Sequence, residues 1–147
     1  MRKIKAQTFL FLLSALLIFA FGQSAAAQPN RGMVKGTIFI KNVSGNNMGN
    51  FACENLTITL ADLKSPAEKR WKLTTTATGD FSTRKCSYKF ARVLANNSFT
   101  AGISAQFPNG CDQKSFAANA SFPMEVKSFQ TLTYNFTVTK ISCTIVK

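Results

Sequence analysis

A chain of 147 residues carries 18 Lys and Arg against 6 Asp and Glu, a formal net charge of +12, and no histidine. That size suits one domain with a real core. The missing imidazole excludes Ser-His-Asp and Cys-His nucleophilic sites and removes the commonest neutral zinc ligand. The sparse acids fall in no catalytic spacing, so the expectation is a protein that is not an enzyme and takes neither metal nor cofactor.

Residues 1–27 read as a secretory signal peptide. Arg2, Lys3 and Lys5 give a basic start, Phe9 to Phe21 is almost wholly apolar, and Ser24-Ala25-Ala26-Ala27 supplies small residues before Gln28. The apolar run falls short of the roughly 20 residues a bilayer span takes. Cleavage after Ala27 places Ala25 at the −3 site, and cleavage after Ala26 would use Ser24. Residues 28–147 are then one exported β-sandwich domain, in the periplasm, secreted or at the cell surface. No stable membrane insertion of the mature chain is expected. Cleavage removes three cations, yet a large positive excess remains and predicts attraction to anionic surfaces. In that compartment the fitting partners are an envelope protein or an anionic glycan rather than nucleic acid.

The first strand pattern runs Val34, Gly36, Ile38, Ile40, with Phe39 on the polar side. Asn42 to Asn50 reads as a loop. Leu56, Ile58 and Leu60 alternate cleanly. Ser65-Pro66-Ala67-Glu68 suits a helical turn, with Ser as cap and Pro at the first helical position. Trp71, Leu73, Thr75 and Ala77 resume the period of two. Thr78-Gly79-Asp80 turns the chain, with Asp80 as a turn residue, and Phe81 restarts the pattern. Cys86, Tyr88 and Phe90 follow. After the Ala95-Asn96-Asn97-Ser98 turn, Phe99 to Phe107 gives the strongest alternation in the chain.

Pro108 to Asn119 reads as irregular, with Phe116, Phe122 and Met124 folding back over a sheet edge. Tyr134, Phe136 and Val138 alternate, and Ile141, Cys143 and Ile145 continue in the opposite parity, which predicts a bulge near Thr139-Lys140. No long segment has a 3.6-residue period. The predicted fold is all-β: an antiparallel sandwich of six to eight short strands, of immunoglobulin-like type.

Four cysteines in an exported domain predict two disulfides, and their wide spacing, with no C-x-x-C, disfavours a metal knuckle. Three connectivities are open. If Phe99–Phe107 returns beside Cys86–Leu94 as a hairpin, Cys86 falls opposite Phe107 and Cys111 clasps the open end. That geometry favours Cys86–Cys111, leaving Cys53–Cys143.

Several pieces together resemble the transthyretin-like sandwich of carboxypeptidase regulatory-like domains. They are Val34-Lys35-Gly36-Thr37-Ile38, Leu56-Thr57-Ile58-Thr59-Leu60, Thr76-Ala77-Thr78-Gly79-Asp80-Phe81, and the Cys86 to Ile103 region as a hairpin. The chain departs from that family in having Ala95-Asn96-Asn97-Ser98 where a glycine-containing turn is usual, and in its long last strand region. The resemblance implies an accessory, adhesive or carbohydrate-contacting module.

Two basic clusters are candidate ligand contacts. Lys69-Arg70-Trp71-Lys72 combines cations with an aromatic able to stack on a sugar face, although parity with Leu73 also makes Trp71 a core residue. Lys85 and Lys89 share the outward face of one strand, where plain solvation is the competing use. Phe39, Phe51 and Phe129 break the inward parity of the other phenylalanines and serve either the core or a partner. Sequons at Asn42, Asn55, Asn96, Asn119 and Asn135 matter only in a glycosylating host.

The functional expectation is a non-catalytic binding module at the cell envelope, holding an anionic glycan or a protein through a basic face. The alternative is a structural or adhesive surface-fibre subunit, self-associating by strand addition.

Overall fold

The computed structural model describes residues 30–64, 71–119 and 123–147. The predicted leader, the helical turn predicted at Ser65–Glu68 and Phe122 lie outside these residues. Ten strands are present among the described residues: β1 (Arg31–Ile40), β2 (Val43–Ser44), β3 (Leu56–Asp62), β4 (Lys72–Thr76), β5 (Lys85–Leu94), β6 (Asn97–Ala105), β7 (Gln113–Ala118), β8 (Pro123–Val126), β9 (Thr131–Thr133) and β10 (Phe136–Thr144). They form two sheets. The first has the order β2-β10-β1-β5, with β7 also on β10 and β9 also on β1; the second has the order β4-β3-β6-β8.

The first sheet is mixed, which corrects the antiparallel-only expectation. β9 and β10 run parallel to β1 and β2, with Met33–Lys35 against Thr131–Thr133, Ile38–Ile40 against Phe136–Val138, and Val43–Ser44 against Ile141–Ser142. One 98-residue offset holds throughout, so this is a single ladder broken twice. An asparagine side chain bridges each break. The Thr37 amide donates to Asn135 Oδ1 at 2.9 Å, and Asn42 Nδ2 donates to the Thr139 carbonyl at 2.8 Å. Side-chain alternation reports which face is buried and is blind to strand direction, which is why the sequence pattern misses the parallel pairing.

The predicted hairpin of Cys86–Leu94 with Phe99–Phe107 is also corrected. β5 pairs with β1, whereas β6 pairs with β3 and β8. Ala95-Asn96 is a corner between the sheets. Its two amides donate to the carbonyls of Asn30 and Val126 at 3.0 and 2.6 Å, and Asn96 takes a left-handed φ of 59°, a conformation asparagine tolerates better than most residues.

Cys86 therefore lies opposite Ile38 rather than Phe107, and the predicted cysteine pairs give way to Cys53–Cys86 and Cys111–Cys143. Cys53–Cys86 is buried and ties the turn before β3, in the second sheet, to β5 in the first. Cys111–Cys143 fastens the segment before β7 to β10. The spacings, 33 and 32 residues, correspond to about 3.5–4 kcal/mol for each closed loop on the chain-entropy estimate.

Other segments also differ from expectation: the ten strands exceed the six to eight expected, and Val43–Ser44, inside the predicted Asn42–Asn50 loop, is a short strand. Gln113–Ala118, inside the stretch read as irregular, pairs antiparallel with β10 as an edge strand. It lacks alternation because its residues are only part-buried or exposed. Phe81 does not restart a strand but opens a short 3-10 turn, Phe81–Thr83. Asp80 caps this turn by accepting from the Ser82 amide at 2.9 Å and the Ser82 hydroxyl at 2.7 Å.

The bulge expected near Thr139-Lys140 is present, as a register shift between Val138 and Lys140. It lets Phe136 and Val138, then Ile141 and Cys143, all face inward. The core lies between the sheets. Val34, Ile38, Tyr88, Phe90, Phe136 and Val138 come from one side, and Leu56, Ile58, Leu60, Phe99, Met124 and Val126 from the other.

Candidate functional site

Charge is segregated by sheet. The six strands of the first sheet contain Arg31, Lys35, Lys85, Lys89, Arg92, Lys114 and Lys140 and not one Asp or Glu. All seven cations are exposed, because the inward positions of these strands are taken by the core.

The densest part of this face is built by the β1–β5 register. Lys35 stands opposite Lys89, Thr37 opposite Ser87, and Phe39 opposite Lys85. Ser87 exchanges both of its backbone bonds, at 2.8 Å each, with Thr78 on the side away from β1, while the Lys35 carbonyl accepts from the Tyr134 amide at 2.9 Å. Lys35–Lys89 and Thr37–Ser87 are therefore non-hydrogen-bonded cross-strand pairs, the type that brings side chains closest together. Two lysines set directly opposite one another weaken a sheet. An anion seated between them would offset that cost.

Beside this pair opens a cleft of about 500 Å3, in the size range of small-molecule and subsite pockets. Lys35, Lys89 and Ser87 line one side, Thr76 and Thr78 the other, and Thr133 the end toward β9. The chemistry offered is two ammonium groups with a ring of hydroxyls. A surface of this chemistry suits oxyanions.

The floor of the cleft is closely packed for a specific reason. Gly36 lies opposite Tyr88, and the Tyr88 hydroxyl crosses it to donate to the Tyr134 carbonyl at 2.6 Å. A Cβ at position 36 would overlap that carbonyl. Burial, and next the neighbouring Tyr134, push the Tyr88 phenol far above its ordinary range. Among the described residues no buried side-chain nitrogen or oxygen lacks a hydrogen-bond partner.

Of the predicted contact residues, Lys85 and Lys89 lie on this face. Lys69 and Arg70 lie outside the described residues. Trp71 immediately precedes β4 and Lys72 opens it, in the second sheet, so these two residues and the Lys85–Lys89 pair are set on different sheets. Trp71 is 37% exposed and lies outside the core cluster, touching it through one ring contact with buried Phe99, centroids 6.1 Å apart. Lys35 and Thr78 were missed, because only strand pairing brings them beside Lys89 and Ser87; Ser87 shares the outward face of Lys85 and Lys89 by alternation alone.

The three phenylalanines that broke parity divide. Phe51 is buried against Phe81 and Phe107, Phe39 lies on the basic face, and Phe129 is 86% exposed at a φ of 57°. Four of the five sequon asparagines have structural work. Asn42 and Asn135 bridge the ladder breaks, Asn119 Oδ1 accepts from the Thr137 amide, and Asn55 Oδ1 from the Ala52 amide.

Among the described residues no group of three or more Cys, Asp or Glu is placed to hold a metal ion, and no helix is long and apolar enough to cross a membrane. No protein-family model, curated protein or solved structure matches this chain. The description that stands is an all-β, two-sheet domain with two disulfides and one cationic sheet face.

Proposed function

We propose that this protein is a non-catalytic, exported binding module that holds an anionic partner of the cell envelope, a glycan or an acidic protein, on the outer face of its first sheet. The observation that carries this reading is the charge segregation. Cations used only for solubility need no particular address, whereas here one sheet has seven of them and no acid, and two stand face to face beside a cleft. The transthyretin-like pieces around Val34–Ile38 and Leu56–Leu60 lie on β1 and β3 and point to the same accessory class of role.

The test is capture from solubilised envelope by the disulfide-intact protein, washed across a salt series. The expected result is a defined glycan or protein retained at moderate salt, where loose attraction between exposed charges is already screened. Retention of the same material by an unrelated protein of equal net charge would overturn the reading.

A further inference from the structure

Among the described residues β5 has a strand neighbour on one side only. Cys86, Tyr88 and Phe90 direct their backbone bonds toward β1, and Ser87 directs its amide and carbonyl the other way, to Thr78. By the two-residue period of a strand, Lys89 aims its amide and carbonyl to that same outer side. Among the described residues the Thr78–Ser87 pair is the sole backbone link between the β4 end and β5. Beyond it Thr76 and Lys89 face each other across the cleft without a ladder. Among the described residues no further strand pairs with this edge up to the irregularity between Gly32 and Val34, where the β1–β5 register shifts.

We propose that an extended acidic segment of a partner protein adds to this outer edge of β5 as a further strand, continuing the ladder that Thr78 begins. The proposal rests on the basic-face reading and names its partner class. An open edge recognises any extended backbone, and side chains flanking the ladder select among them. Lys85 and Lys89 project on the exposed face of the edge strand itself, Lys35 lies across from Lys89, and β1 and β5 contain no acid. Alternate carboxylates on the guest would meet these ammonium groups. A second copy of β5 would instead bring lysine against lysine, the device by which edge strands resist self-pairing. A glycan supplies no amide row and has no use for the free ladder.

The probe is an octapeptide alternating Glu and Val, compared with the same peptide N-methylated on alternate backbone nitrogens and with dextran sulfate. The disulfide-intact protein is followed by amide hydrogen exchange. The expected result is slower exchange of the Lys89 amide with the unmodified peptide, and about tenfold or greater loss of affinity on N-methylation, equivalent to one or two hydrogen bonds. Equal binding of both peptides would overturn strand addition and leave the basic-face reading standing. Binding of dextran sulfate with neither peptide would do the same. Failure of all three probes would overturn both readings. Protection of the Lys89 amide that grows with protein concentration, peptide absent, would replace the acidic guest with a second copy of this chain.

Discussion

At the scale of single residues, the cleft depends on one glycine and one phenol. Gly36→Ala should destabilise the domain by about 3 kcal/mol, the upper part of the overpacking range, because the atom in the way is a backbone carbonyl that cannot rotate aside. A denaturant titration measures this directly. Tyr88→Phe removes the bond to the Tyr134 carbonyl and should cost about 1–2 kcal/mol at neutral pH. The same phenol sets an alkaline limit. Its folded pKa lies above its unfolded one, so its contribution is intact below about pH 10 and is lost as pH rises further and the unfolded chain releases the proton first. Stability should therefore fall less steeply above about pH 10 in Tyr88→Phe than in the wild type. Asp80 follows the opposite sign. Hydrogen bonds from the Ser82 side chain and backbone hold its carboxyl below the ordinary value of 3.8. The stabilisation it lends the turn is present above that value and fades as pH falls through the lowered one. A carboxyl titration followed by NMR should show Ser82→Ala moving the Asp80 midpoint up.

Among the elements, the disulfides and the parallel ladder make the fold non-local. Replacing Cys53 and Cys86 together by Ser removes the bridge between sheets and should lower stability by about 3.5 kcal/mol on the loop-entropy estimate, readable as a shift of the denaturant midpoint. What the sequence revealed follows from the range of the interaction concerned. Alternation made β1, β3, β5 and β6 legible, and the parity flip at Thr139-Lys140 was sufficient to place the bulge in β10. Strand partners were not legible. Ala95-Asn96 looks like any two-residue turn, and whether such a turn closes a hairpin or crosses between sheets is decided by Asn30 and Val126, which receive its amides from distant parts of the chain. The wrong cysteine pairing followed from that one assumption. The site was legible by halves for the same reason. Lys85 and Lys89 show themselves as outward residues of a strand, whereas Lys35 joins them only through a register between residues more than fifty positions apart.

For the whole molecule, the decisive feature is that positive charge is concentrated on one sheet at some expense to stability. Lys35 and Lys89 oppose each other in the closest kind of cross-strand pair, so Lys89→Glu should turn repulsion into attraction and stabilise the domain by about 0.2–1 kcal/mol. If the pair exists to hold an anion, the same change should damage binding. Gain of stability with loss of binding separates a functional charge pair from a merely solvated one, because a solvated pair predicts the gain alone. The measurement that tests the central claim most directly is therefore retention of the captured envelope partner by Lys89→Glu beside the wild type, at one fixed moderate salt concentration. The account predicts that retention is largely lost while the variant melts at an equal or higher temperature. Undiminished retention by a folded Lys89→Glu protein would contradict it.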